Sequence, residues 1–492
     1  MVLKDNTLYM DTIKRLDKRY SPFLIIKIVF YILGLVCTGL VGFSNVVADG
    51  LGAFFLLPLS FTVACMLSHN TIVYAKDSFG LLILYGLITL RYLVSPVLTA
   101  LSGNLVPNVS TSASGLRYAV LFMIVELFVV VIAINVIWKP VLTENFKRKS
   151  YNEFKLTWSG AIVCLFLIVA LLYRGTLPNV MEHLSFGNKY SYAYSELKTY
   201  DMSAVLTLKA FLFILIVSWS YKKYYNTKSR SNKTLFLIIA ILSALGNAMV
   251  YDASDRATMV MCAVASLSVL LYCFSKKISK LMPIIAVLGF VFVWSLFADG
   301  TLGVKEGDSL LDRADYISEL SRVAELYSNG VSTEAHAFDM YETITANIGI
   351  KTHISELIKS NNIFTLPGLW LVRRLVETIP SIQNLFKSTL RERDAFILPN
   401  AGLAMYSGSI YFGLLLDIAF HWLIVLGIYY FYKKKKNSHD LSLIYLYSYC
   451  EMICGFILMN NIMIAVSLLS AIPFLLYILL KLNKLGKKVR FR

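Results

Sequence analysis

Apolar runs of about twenty residues alternate with short polar loops along most of this chain. That is the spacing of membrane-crossing helices, because about 20 apolar residues of helix span a bilayer core. The runs cover 22–43, 51–67, 78–99, 117–138, 158–173, 204–221, 234–250, 257–274, 281–297, 409–432, 441–459 and 462–480. Only Asn460 and Asn461 separate the last two, which predicts a tight hairpin. One long polar stretch, 299–408, interrupts the series. Within it Leu310, Leu311, Ala314, Ile317, Leu320 and Ala324 recur at helical spacing, predicting an amphipathic helix. Further on, Trp370, Arg373, Arg374 and Glu377 stand among Leu369, Leu371, Val372, Leu375 and Val376, and Pro380 ends the run. That pattern predicts a helix lying in a membrane interface. The expected fold is an all-α polytopic membrane protein with about 12 transmembrane helices. Residues 1–298 hold the first nine, 299–408 form a large helical external loop, and 409–492 hold the last three and a basic tail.

Composition agrees. Of 492 residues, 57% are hydrophobic and only 16% are charged, against roughly a quarter in soluble proteins. The net charge of +17 does not point to nucleic acid, because the basic residues sit in short loops beside the apolar runs. They set orientation instead. Lys4, Lys14, Arg15, Lys18 and Arg19 precede the first run, and Lys147–Lys149, Lys222–Lys233, Lys276–Lys280 and Lys433–Lys436 follow in alternate loops. Lys484, Lys487, Lys488, Arg490 and Arg492 close the chain. With twelve spans, all of these fall on one side, so both termini are expected in the cytoplasm and 299–408 outside. A second external loop, about 175–203, carries Tyr190, Tyr192, Tyr194 and Tyr200, which suit either sugar stacking or an interfacial aromatic belt. The 7 cysteines all lie in apolar runs and imply neither a disulfide framework nor a thiolate metal site. The N-terminus is too polar ahead of its first apolar run for a cleaved signal peptide. There is no phosphate-binding glycine loop.

Ionisable groups inside spans are costly and mark candidate sites. Arg91 and Glu126 lie at similar depth on consecutive spans, so they form either a buried ion pair or, through Arg91, an anion site. Asp417 and His421 share a helical face, with Glu451 on the next span, and read as polar contacts between helices. On the expected outer side stand Arg174, Arg256, Arg373, Arg374, Arg391 and Arg393. Any one of them can pair locally. Together they suit a phosphate, whose oxygens a guanidinium grips with two hydrogen bonds.

Four features carry a family resemblance: Leu90-Arg91-Tyr92, the turn Ser254-Asp255-Arg256-Ala257-Thr258, the late external loop, and the re-entry Asn400–Tyr406 followed by Tyr411-Phe412-Gly413. In these the chain resembles bacterial O-antigen and capsule repeat-unit polymerases of the Wzy type, which are related to O-antigen ligases. Leu398-Pro399-Asn400 stands where a ligase-like His is expected, which disfavours the ligase alternative. The resemblance implies a GT-C-like membrane glycosyltransferase of the bacterial plasma membrane. It would polymerise undecaprenyl-diphosphate-linked oligosaccharides at the outer face, without metal or cofactor. Its partners would be those lipid-linked glycans, membrane lipid and a chain-length regulator. Arg91, Arg174, Arg256, Arg374, Arg391 and Arg393 would bind the substrate diphosphate, and Asp394, or His336 with Glu334, would be the catalytic base. A lipid-linked oligosaccharide flippase is the main alternative.

Overall fold

A computed structural model describes residues 24–44, 52–67, 78–103, 111–139, 154–173, 199–250, 256–298, 316–365, 369–390 and 397–485. The described residues are helical, with no β-strand. Where water is scarce, a helix satisfies every backbone N–H and C=O within one segment, so apolar runs of this length take no other form. Each predicted apolar run carries helix. Among the described residues, 8 helices are long and apolar enough to cross a membrane. The protein is a helical, multi-pass membrane protein.

In chain order the helices are α1 Leu24–Gly42, α2 Leu56–Leu67, α3 Phe79–Ser102, α4 Ala113–Ile137 and α5 Trp158–Tyr173. Next come α6 Thr199–Asn226, α7 Arg230–Met249 and α8 Arg256–Ala298, the last broken at Phe274 (φ −123°, ψ 35°) into two helices. The insertion holds α9 Tyr316–Ser328, α10 Val331–Asp339, α11 Tyr341–Thr345, α12 Ile350–Ser360, α13 Trp370–Leu375, α14 Ile382–Thr389 and α15 Asn400–Met405. The chain closes with α16 Ile410–Asn437, α17 Leu441–Gly455 and α18 Ile462–Leu485. Helices α2 and α5, at 12 and 16 residues, fall short of a full crossing.

Helix α17 is the axis of the bundle. Almost all of its residues are buried, and α3, α8, α16 and α18 pack around it. Glu451 on α17 accepts from Ser78 Oγ and from the Gly80 N–H (3.2 Å), and it pairs with Lys435. Its partners are therefore on α3 and α16, away from Asp417 and His421. Helix α5 is pinned to α18 by Thr157, whose N–H donates to Asn483 Oδ1 at 2.9 Å. Asn461 caps α18 through the Ile464 N–H at 3.0 Å, completing the predicted hairpin.

The insertion does not simply lie over one end of the bundle. Helices α9 and α10 form a re-entrant pair that descends between α3 and α4. Going down, Ser321 meets Thr99 at 3.0 Å and Glu325 accepts from Ser95 Oγ at 2.8 Å. The tip is Asn329 (φ 46°) and Gly330. A Cβ on Gly330 would stand 2.4 Å from the Glu325 carboxylate, so a larger residue there would displace that side chain from Ser95 and the Ser332 N–H. Coming back up, Phe338 packs on Tyr118 and Phe122, and Asp339 accepts from the Ser112 N–H at 2.6 Å. Polar backbone at this depth is tolerated because it is helical and enclosed by protein. Of the predicted amphipathic helix, the part from Tyr316 onward forms α9, and residues 310–315 lie outside the described set.

The rest of the insertion is a layer of short helices. Ile350, Ile354 and Leu357 of α12 and Leu371 and Leu375 of α13 leave an apolar face exposed. Asn362 ties this layer to α18 through Ser467 and Ser470, and Asn400 holds the Ile462 N–H at 2.8 Å. Glu356 accepts from the Ile382 N–H at 2.7 Å and joins α12 to α14. Burial pushes the Glu356 carboxyl up, against the opposing pull of the Ile382 and Gln383 N–H groups and of Lys359. A group held higher in the folded than in the unfolded state contributes stability that is complete below its unfolded value. That contribution is lost as pH rises through the folded value. Glu356→Gln keeps an acceptor and never ionises. Its melting temperature is expected to match wild type near pH 4 and to exceed it increasingly toward about pH 8. A gap that does not widen with pH would show that Glu356 is not the titrating group.

Candidate functional site

The site begins with a proline. Pro96 has no N–H, and its ring would collide with the carbonyl of Tyr92, four residues back. Helix α3 answers with a π-turn over Leu90–Val94, in which the Ser95 N–H reaches back to the Leu90 carbonyl. Such widened turns recur at functional positions because they re-aim side chains. Here the wide turn carries Arg91 and Tyr92, and Tyr92 donates to the Met123 carbonyl of α4.

Arg91 is 3% exposed, and its guanidinium pairs with Glu126 of α4 at 3.0 Å and with Glu334 of α10. The similar depth of Arg91 and Glu126 counted along the sequence is thus realised as contact. Behind Glu126 lies α16, where Asp417 and His421 are four apart and face inward. The His421 Nδ1 sits 2.9 Å from the Asp417 main-chain oxygen, and its Nε2 lies 4.0 Å from Glu126 Oε1. Five ionisable groups from four helices therefore meet in one buried cluster. Tyr92 borders it, and Glu325 lies in the next layer, held by Ser95 and the Ser332 N–H.

Such a cluster is held by its pairing. Bringing a charge into a dry interior costs several kcal/mol unless an opposite charge and hydrogen bonds answer it. One guanidinium facing three carboxylates leaves an excess of acid, so the cluster attracts cations and is poorly suited to an anion in this conformation. Arg91 can meet a phosphate only by giving up Glu126 or Glu334.

Among the described residues, the others marked in the sequence are dispersed. His336, two positions beyond Glu334 on α10, is 2% exposed and faces away from Arg91. Its Nε2 lies 3.0 Å from Thr389 Oγ1 and its ring edges onto Phe386, both on α14. Thr389 stands two positions before Arg391 in the sequence. Arg374 is on the exposed side of α13, and Arg256 is the first residue of α8. Arg174, Arg391, Arg393 and Asp394 lie outside the described residues.

Sequence reasoning singled out Glu334 only beside His336, not as a partner of Arg91, and passed over Glu325. A signal was present. Between Val323 and Ile350 the chain has four acidic residues and no Lys or Arg, whereas solvated helices normally mix both signs. Acids without local bases must find cations elsewhere, and here Glu334 finds Arg91. Comparison with protein-family models, with curated proteins and with solved structures finds no match to this chain.

Proposed function

We propose that this protein is a membrane glycosyltransferase that polymerises polyprenyl-diphosphate-linked oligosaccharide units. In this reading the chain crosses a bacterial plasma membrane twelve times, has both termini in the cytoplasm and works at the outer face. The observation that carries the reading is the re-entrant α9–α10 pair. It makes the insertion part of the bundle's interior and sets Glu334 of the insertion against Arg91 of the spans.

The reaction joins an acceptor hydroxyl to the reducing-end sugar of the growing glycan. The acceptor oxygen forms the new bond to the anomeric carbon as the carbon–oxygen bond to the diphosphate breaks. The acceptor proton passes to a base, Asp394 or His336, and polyprenyl diphosphate leaves. A diphosphate is already a good leaving group, so the main demand is for fixed cations where negative charge develops. In this reading Arg174, Arg256, Arg374, Arg391 and Arg393 supply those cations, and Arg91 joins them once it is released from its carboxylates. Losing one such contact is expected to cost about 2–4 kcal/mol of transition-state stabilisation, roughly a hundredfold or more in rate.

The test is polymer length in cells whose own gene has been removed, scored beside the amount of folded protein. Arg256→Ala and Arg393→Ala are expected to shorten the polymer at unchanged protein level, with partial rescue by lysine, which keeps the charge and loses the fork. Long polymer from both alanine variants sinks the proposal. One observation favours a second reading. Buried ionisable clusters inside spans also mark coupled transport, and a flippase would leave unpolymerised units on the cytoplasmic side when the gene is lost.

A further inference from the structure

We propose that Glu126, Asp417 and His421 form a binding site for a first-row transition-metal dication inside the bundle. One donor atom from each residue lies within 4.8 Å of the others, and all three residues are fully buried. The inference does not depend on the polymerase reading, and nothing in it requires the ion to touch a substrate.

Charge is the first argument. Glu126, Glu334 and Asp417 are three carboxylates, and Arg91 is the cation paired with two of them. With all four ionised, their net charge is −2. A dry interior does not hold such an excess, and one dication cancels it.

The second argument is independent and rests on His421. A main-chain carbonyl only accepts hydrogen bonds, so the ring nitrogen 2.9 Å from the Asp417 carbonyl is the one that carries hydrogen. In the neutral ring, Nε2 then presents a bare lone pair. It faces Glu126 Oε1 at 4.0 Å, and no hydrogen-bond donor among the described residues reaches it. Neither Asp417 carboxylate oxygen accepts a hydrogen bond from the described residues either. A lone pair aimed at carboxylate oxygens is repulsive unless a proton or a metal cation stands between them. A histidine that donates one ring N–H to a main-chain carbonyl and offers the other nitrogen inward has the orientation found in metal-ligating histidines.

Donor type narrows the ion. One imidazole nitrogen with carboxylate oxygens suits zinc or manganese better than calcium or magnesium, which prefer all-oxygen shells. Donors on an ion at about 2.1 Å stand at most about 4.2 Å apart. Side-chain rotation of Glu126 and Asp417 must therefore draw the three donors together before one ion reaches all of them. The ion would join α4 to α16 where Arg91 already joins α3 to α4 and α10. Glu334, Arg91 and Tyr92 complete the surroundings, with Glu325 in the next layer.

The experiment uses the full chain, purified in detergent with any affinity tag removed. Metal content is measured after equilibration with zinc or manganese and gel filtration. Near-stoichiometric metal is expected in wild type and in His353→Ala, a histidine of the insertion that serves as control. Asp417→Asn and His421→Gln, each kept only if monodisperse, are expected to weaken binding by more than about tenfold. Cobalt added to wild type is expected to give the visible absorption of a mixed nitrogen–oxygen site, a readout that needs no variant. Uptake in wild type no greater than in Asp417→Asn overturns the proposal and leaves protons as the balancing charge. So does a loss of uptake in His353→Ala equal to that in His421→Gln, or cobalt-treated wild type with no visible band.

Discussion

Arg91→Ala is expected to remove most of the folded protein from the membrane. The guanidinium is buried between Glu126 and Glu334, and its loss strands both carboxylates away from water. Breaking a buried pair by removing one partner costs about 3–5 kcal/mol, a large share of a total stability of about 5–15 kcal/mol. Lysine is a poor replacement, because one ammonium cannot serve two carboxylates from a planar fork. Removing the charges together is different. The triple variant Arg91→Met, Glu126→Gln, Glu334→Gln replaces the charges by neutral groups of similar volume, a change that is often neutral or stabilising. It is expected to recover folded protein, read as the monodisperse fraction by size-exclusion chromatography of detergent extracts. If the triple variant is no better than Arg91→Ala, excess buried charge is not what the single variant suffers from. A recovered fold that makes no polymer would mean that the reaction needs the charges the fold can do without.

The second large effect is expected at Gly455. Helices α3 and α17 touch through their backbones. A Cβ on Gly455 would lie 2.5 Å from the Gly80 carbonyl oxygen, and one on Gly80 would lie 2.6 Å from the Glu451 carbonyl oxygen. No flexible side chain stands there to swing aside, so Gly455→Val must push the helices apart. That movement also pulls Glu451 away from Ser78 and Gly80. Overpacking a core costs about 1–3 kcal/mol where neighbours can adjust, and a contact between two backbones is expected to reach or pass the top of that range. Gly86→Val is the control, since a Cβ there meets nothing within 4 Å. Thermal unfolding in one detergent compares them, and equal melting of the two variants would refute the close approach of α3 and α17.

The bilayer explains what could be read without a structure. It fixes one coordinate of every apolar run, its depth, and forces the run to be helical. The helices over the twelve runs follow from that, as does the shared level of Arg91 and Glu126. So does the hairpin at Asn460 and Asn461, which is too short for any other connection. Depth says nothing about which way a helix faces. Glu451 and Asp417 lie on adjacent spans, yet α17 turns Glu451 toward Ser78 and Lys435, while α16 turns Asp417 toward Glu126. For the insertion even depth was not readable. The polar surface of α9 and α10 resembles that of a solvated loop, because Ser321, Glu325 and Glu334 look alike whether water or protein answers them. Tertiary packing answers them with Thr99, Ser95 and Arg91, residues more than 200 positions away in the chain. Those pairings carry no local pattern, so only the assembled bundle decides that a stretch read as an external loop reaches its core.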